Sequence, residues 1–387
     1  MAQSSFHASL IANIRRRAVV PLAPVDPLFT PFTLKNLELP NRIVMAPMTR
    51  SFSPDGLPGA DVAAYYRRRV EGGVGLIVTE GTTVGHDVAS NDPAVPNFHA
   101  DESLAGWKRV ADEVHEAGGL IIPQLWHVGP MRNQGTGPNP DPQSVSPSGL
   151  KYPGREVGEA ISKDEIRAII DAFAKAAYEA RVRGFDGVQL HGAHGYLIDT
   201  FFWEGTNQRD DEYGGNLPER TRFAVEIIEA VRREVGNDFP LILRFSQWKQ
   251  QDFEHKMADT PDALDAFLQP LVAAGVDCFD CSTRRFWESE FEGSDLNLAG
   301  WVKKLTGVPT ITVGSVGLDG EFVASFQGES AGIAPIDELV RRLEAGEFDL
   351  VGVGRALLVD PHWPNKIREG RHDDLKPFTK EAMGSLS

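Results

Sequence analysis

Cysteine is nearly absent: the 387 residues contain two, Cys278 and Cys281. That excludes a small disulfide-stapled fold, and no second pair exists to complete a four-thiolate zinc or iron–sulfur site. The C-x-x-C spacing still invites a redox or metal reading. Both residues, however, sit in the apolar run 276–282, which reads as a buried strand. Strand alternation sends positions three apart to opposite faces, unsuited to a disulfide or a shared metal. The expectation is two structural thiols in a reducing, cytoplasmic compartment.

Other absences narrow the field further. No apolar run approaches the roughly 18 residues of a transmembrane helix, so no membrane partner is expected. Basic residues are in deficit, 39 Lys and Arg against 55 Asp and Glu, for a formal net charge of −16. A phosphate field repels such a surface, which argues against nucleic acid as a partner. No early strand runs into a G-x-G-x-x-G turn, so an open dinucleotide-binding sheet is unsupported. No shift of composition marks a second domain. Residues 1–25 alone stand apart: they lack any acid and carry Arg15, Arg16 and Arg17. Without a secretory apolar segment or cleavage site, they read as a flexible N-terminal extension before a single domain over 26–387.

What the chain does contain is a repeated alternation. Apolar runs occur at 42–47, 75–79, 120–125, 187–190, 240–246, 277–282, 310–313 and 350–353. Helical patterns follow them at 60–71, 103–117, 163–183, 218–235, 261–274, 296–306, 336–345 and 364–370. Continuous apolar strands separated by amphipathic helices predict a parallel sheet covered by helices. Eight such units fit a single-domain α/β fold, the closed (β/α)8 TIM barrel, better than an open sheet.

Barrels of this kind place their sites at the C-terminal ends of the strands, so the residues ending each run are the ones to read. The first run ends in Ala46, Pro47, Met48 and Thr49; the second in Glu80 and Gly81; the third in Gln124 and Trp126. The fourth ends in His191, His194 and Tyr196, and the fifth in Arg244. Runs seven and eight end glycine-rich, in Val313, Gly314 and Ser315, and in Gly354 and Arg355. Glycine-exposed backbone N–H groups beside a guanidinium make a phosphate cradle. A phosphate site with amide, cation and hydroxyl partners suits flavin mononucleotide, with Gln124 on the pyrimidine edge. Arg244 there would stabilise the negative charge of the reduced ring.

His191 and His194 stand three apart, with Tyr196 two further on. Two imidazoles converging on one carbonyl oxygen polarise an enone, and a nearby phenol can deliver the proton. Two histidines at this spacing also suit a metal pair, but the other strand ends lack the acidic third ligand such a site expects. Trp126 and Trp248 are candidates for pocket walls or plain packing. Arg67, Arg68 and Arg69 read as a solvated helix end, while Arg284 and Arg285 suit either ligand contact or exposed ion pairs.

The segments RIVMAPMTR (42–50), VTEGT (78–82), QLWHVG (124–129), HGAHGYLIDTFFWEGTNQRDDEYGGNLPER (191–220) and GVGRALLVDP (352–361) resemble the old yellow enzyme family of NAD(P)H:flavin oxidoreductases. They span most of the chain in the family's order, and the long stretch 191–220 is highly specific. The resemblance is to a divergent, 12-oxophytodienoate-reductase-like subgroup. It implies an FMN flavoprotein of the ene-reductase type. NADH or NADPH would reduce the flavin, and the flavin N5 hydride would reduce the C=C bond of an α,β-unsaturated carbonyl or nitro compound. The chain would act as a monomer or homo-oligomer. His191 and His194 match the pair that binds the substrate's activating group, and Tyr196 matches the proton donor. Thr49 matches a flavin O4 contact, and Trp126 a wall of the substrate pocket. Pro47, Gly81, Gln124, Arg244, Gly314 and Arg355 match flavin-binding positions, with Ala46, Met48, Val313, Ser315 and Gly354 on the same loops.

The chain also departs from the family. Pro130 stands where the family usually has Arg, and the mouth loops 246–256 and 282–297 do not follow its pattern. Substrate choice and the choice between NADH and NADPH belong to those loops. Three rivals remain: a flavin dehydrogenase of the iron–sulfur branch, a metal-dependent barrel hydrolase, and a flavin-binding sensor or storage barrel. The first needs cysteines and further domains that this sequence lacks.

Overall fold

The computed structural model describes residues 24–320 and 328–387. The reading of 1–25 as an extension falls almost wholly outside the described residues.

Eight parallel strands close on themselves in the order β3–β4–β5–β8–β9–β10–β11–β12, the last pairing with the first. They are β3 (Ile43–Met45), β4 (Leu76–Thr83), β5 (Ile121–Trp126), β8 (Val188–His194), β9 (Leu241–Lys249), β10 (Cys278–Ser282), β11 (Thr310–Val313) and β12 (Leu350–Val353). The structure is thus the (β/α)8 barrel that the alternation predicts. Its helices include α1 (Ala60–Glu71), α2 (Asp101–Glu116), α3 (Lys163–Val182), α5 (Arg222–Val235), α6 (Pro261–Ala274), α7 (Leu298–Thr306) and, before the last strand, Asp337–Glu344. No helix among the described residues is long and apolar enough to cross a membrane.

Helix ends fall where the sequence carries caps. The Ser162 hydroxyl accepts the Glu165 N–H ahead of α3, and the Thr260 hydroxyl accepts the Ala263 N–H ahead of α6. These satisfy donors that the first helical turn leaves unpaired. Helix α6 then stops at Gly275, whose φ of 115° lies where a side chain would be strained.

Strand alternation divides the core in two. Val44, Leu76, Val78, Ile122, Ile242, Cys278, Ile311 and Leu350 point inward and cluster at the end where the strands begin. Leu34, Leu37 and Leu39 of a short hairpin, β1 (Phe32–Leu34) with β2 (Leu37–Leu39), join that cluster and plug this end. Burying each such side chain is worth about 1.5–3 kcal/mol. The opposite end, where the strands finish, is left for the polar residues. The outward-facing residues pack under the helices in a second, larger cluster that includes Cys281. Cys278 and Cys281 therefore occupy different layers, both buried and free, and burial pushes both thiols well above their usual range.

Three features depart from the sequence reading. The β1–β2 hairpin, a second hairpin, β6 (Leu150–Tyr152) with β7 (Arg155–Glu156), and a helix α4 (Leu197–Phe202) are additions. Strands β8 and β9 run on to His194 and Lys249, beyond their apolar runs. Arg69 is no solvated helix end: it is 0% exposed and donates to the carbonyls of Tyr65, Leu357, Leu358 and Ser387. Arg68 likewise donates to the Leu386 carbonyl. These two side chains pin the C-terminal segment to α1, Arg68 through the Leu386 carbonyl and Arg69 through the terminal Ser387 oxygen.

Candidate active site

The ends of the strands enclose a cavity of about 260 Å³. Every predicted site residue lines it except Gly81. Gly81 lies at a register shift in β4, where a Cβ would sit 2.6 Å from the Trp126 ring, so glycine there admits the indole. The sequence reading left out Ser282 at the end of β10 and, on the mouth loops, Gln250 and Thr283. It also left out Phe378 and Met383, which reach the cavity from the C-terminal segment and carry no local signal of it.

One wall is the turn where β8 meets α4. His191 lies 7% exposed, between the Trp126 ring, centroids 6.0 Å apart, and the Tyr196 ring at 4.9 Å. Its Nδ1 is buried with no partner. The His194 ring is 5.2 Å from His191 and stacks on Trp248 at 4.5 Å. His194 Nε2 meets Ser282 Oγ at 2.8 Å. Burial, with Arg244 nearby, holds His191 well below the usual imidazole range; burial, His191, Arg244 and Lys249 do the same for His194. Both rings are therefore neutral at pH 7, each with one N–H to donate. Burial raises the Tyr196 hydroxyl, opposed by a hydrogen bond with Gln250, so the phenol keeps its proton.

That turn is strained and braced. His194 and Gly195 have φ of 65° and 78°. A left-handed non-glycine residue costs on the order of 1–2 kcal/mol and persists where its surroundings hold it. Here the His194 N–H donates to Ser246 Oγ (3.0 Å), and the Gly195 N–H donates to Asp199 Oδ2 (2.6 Å). Asp199 in turn is paired with Lys249 at 2.6 Å, both side chains 0% exposed.

The loop after β3, which carries Thr49, is held from below by Glu80. Its Oε2 accepts the Arg50 N–H (2.8 Å) and the Ser51 N–H (3.2 Å). Burial outweighs these bonds and pushes the carboxyl from 4.5 up to about 7. Between those values the folded chain keeps a proton that the unfolded chain has released. The Glu80 contribution to stability is thus full below about 4.5 and lost as pH rises through about 7. Glu80→Gln keeps the acceptor without the charge. It is expected to exceed wild type in stability by about 1–3 kcal/mol at pH 8 and to match it near pH 4.5. Denaturant melts at both pH values check this, and a gap that does not grow with pH defeats it.

Opposite this wall, Arg355 Nη2 donates to Ser315 Oγ (3.2 Å) and to the Gly320 carbonyl (2.6 Å). A Cβ on Gly354 would approach only Met48 Sδ (3.6 Å) and Ala46 Cβ (4.0 Å), so the backbone is open to the cavity there. Across the barrel, Arg244 and Gln124 are buried at 6% and 3% exposure. Arg284, one of the two arginines left open between ligand contact and ion pairing, lines the cavity and also pairs with Glu254 at 3.5 Å. Arg285 pairs with Glu288 at 2.8 Å. Among the described residues no three His, Cys, Asp or Glu side chains come together to hold a metal ion.

A guanidinium with open glycine backbone at one side, and a buried arginine and amide at the other, fit the phosphate and pyrimidine ends of a flavin mononucleotide. The orphaned Nδ1 of His191 is accounted for if a ligand fills the cavity. The site is that of a flavin-binding barrel. Residues 27–374 match the sequence profile of the NADH:flavin oxidoreductase / NADH oxidase family, and the chain belongs to it. FMN is accordingly the cofactor.

Relatives agree. The chain is 34% identical over 368 residues to an NADH oxidase of Thermoanaerobacter brockii, covering 93% of this chain and 53% of that one. It is 40% identical over 222 residues to a putative 12-oxophytodienoate reductase 2 of Oryza sativa subsp. japonica, 56% of this chain and 58% of that one. The matches thus span about half the length of these curated relatives. Among solved structures, morphinone reductase in complex with tetrahydroNAD superposes with a TM-score of 0.78 at 28% identity, covering 92% of this chain and 93% of the other. The old yellow enzyme homologue of Zymomonas mobilis gives 0.76 at 27% identity, covering 93% and 98%.

Proposed function

We infer that the protein is an FMN-dependent ene-reductase. It uses NADH or NADPH to reduce the C=C bond of α,β-unsaturated carbonyl or nitro compounds. The observation that carries this reading is the grouping of His191, His194 and Tyr196 on one cavity wall, with His191 Nδ1 buried and unpartnered. Relatives named 12-oxophytodienoate reductase and morphinone reductase support the substrate class.

Gln124 and Arg244 would hold the pyrimidine edge of FMN, Thr49 its O4, and Arg355 with the backbone at Gly314, Ser315 and Gly354 its phosphate. When bound, the cofactor supplies two-electron transfer between the nicotinamide and the substrate's double bond. The neutral His191 and His194 rings each donate one N–H to the acceptor's oxygen. That draws electron density from the β-carbon, an effect worth about 3 kcal/mol per well-placed donor. Neutral donors suit this role because they polarise the oxygen without giving up a proton. Tyr196, whose hydroxyl stays protonated, delivers its proton to the α-carbon. Trp126 and Trp248, both under a tenth exposed, wall the reacting atoms from water.

The test is the visible spectrum of the purified protein, followed anaerobically as NADH or NADPH and then 2-cyclohexenone are added. Flavin bands that bleach with a nicotinamide and return with the enone are expected. Bands that bleach and do not return with any enone or nitroalkene would make the barrel a flavin sensor or store. A protein that neither holds nor binds FMN would overturn the flavin site itself.

A further inference from the structure

Beneath the cavity a line of side-chain hydrogen bonds crosses the barrel. Gln124 Nε2 donates to Gln189 Oε1 (2.7 Å), and Gln189 Nε2 donates to Asp280 Oδ2 (2.9 Å). Arg244 Nη1 donates to the same carboxylate oxygen (2.6 Å), and its Nη2 donates to Ser282 Oγ (3.2 Å). Ser282 Oγ in turn meets His194 Nε2 at 2.8 Å. The line follows the sheet: Gln124 pairs in register with Gln189, and Arg244 with Asp280.

Asp280 carries the only negative charge in this line. It is 2% exposed, and its Oδ1 has no partner. Its strand is otherwise apolar up to Ser282, and burying a carboxylate is costly unless a charge meets it. The charge that meets it is Arg244, the residue assigned to the electron-rich edge of the reduced flavin. A guanidinium without a counter-charge would favour the reduced, anionic ring strongly. A carboxylate at 2.6 Å offsets that field, since a charge pair acts at a distance as a dipole.

We propose that Asp280 is a positioning residue that sets how much positive charge Arg244 presents to the flavin and, through Ser282, orients the His194 ring. One buried carboxylate thereby ties the redox half of the site to the half that holds the substrate. Arg244 donates to Ser282 Oγ, which leaves the serine O–H available to donate to His194 Nε2. In that arrangement the single proton of the neutral imidazole lies on Nδ1, so the serine contact selects which nitrogen serves as donor. This proposal rests on FMN occupying the cavity as described above.

The test uses the FMN-loaded protein and its Asp280→Asn and Ser282→Ala variants. Two quantities are read: the midpoint potential of the bound FMN, and its affinity for sulfite, which adds to the flavin and leaves negative charge at the pyrimidine edge. Asp280→Asn preserves shape and removes the counter-charge. It is expected to raise the potential and to tighten sulfite binding by about tenfold or more. Ser282→Ala should leave sulfite affinity within about twofold and weaken by about tenfold the binding of added phenol, whose oxygen would take the acceptor oxygen's place between His191 and His194, the size of a lost hydrogen bond to a buried group. If Asp280→Asn does not retain FMN, the same measurements on Asp280→Ser decide. A potential and sulfite affinity unchanged in an FMN-loaded Asp280 variant overturn the proposal and leave the flavin site standing. A wild-type protein that binds no FMN overturns the site instead.

Discussion

Tyr196→Phe is expected to lower turnover with 2-cyclohexenone by about 10²- to 10⁴-fold, the range a positioned general acid supplies. Reduction of the bound FMN by NADH or NADPH should change little in the same variant. The difference follows from where the hydroxyl sits. Tyr196 edges onto Trp126 at 4.9 Å and onto His191 at 4.9 Å, so a phenyl ring keeps those contacts. What phenylalanine removes is the proton, which burial keeps on the oxygen up to pH values above the ordinary phenol range. Turnover of the wild type should therefore hold across neutral pH and fail only in strong alkali. Stopped-flow measurement of each half-reaction decides: equal losses in both would mean that Tyr196 shapes the site rather than supplying the proton.

Lys249→Met is expected to destabilise the protein by about 3–5 kcal/mol, the usual result of leaving one charge of a buried pair alone. Its ammonium and the Asp199 carboxylate are both 0% exposed, and Asp199 Oδ2 also accepts the Gly195 N–H at 2.6 Å. Burial drives Asp199 upward and Lys249 downward, each opposed by its partner. Without the lysine, Asp199 can be neutralised by protonation. The loss should therefore be larger at pH 8 than at pH 5, because folding must take up a proton on Asp199 or bury its bare carboxylate, and protons are scarcer at pH 8. Lys249→Met/Asp199→Asn keeps an acceptor for Gly195 without the charge and should recover much of the loss. Denaturant melts of the single and double variants test this. A double variant no more stable than the single would show that Lys249 acts by packing alone. The site should feel the change too, because the pair braces the turn that carries His194 and Tyr196.

The strands β11 and β12 coincide with their apolar runs, while β8 and β9 extend four and three residues past theirs. The reason is chemical. Apolar periodicity marks a strand only while its inward face meets the hydrophobic plug; at the rim, pairing continues with polar side chains aimed at the cavity. The His191–His194 and Gln247–Lys249 portions of β8 and β9 therefore read as loop in sequence. Gln189 and Asp280 are visible in sequence as polar residues inside apolar strands. Their meeting depends on the registers of β8, β9 and β10, which no local pattern encodes.

By itself the sequence determined the barrel, its eight strand–helix units and the rim residues that gather around the cavity, because periodicity and strand ends are local properties. It also determined the family, through motifs spread along the whole chain. Only the tertiary structure decided that Arg69 is a buried anchor, that Lys249 and Asp199 meet fifty residues apart, and that Asp280 stands behind Arg244. Each of these is a charge whose surroundings come from distant segments. A charged residue looks the same in sequence whether water or a buried counter-charge solvates it, and the fold alone supplies the difference.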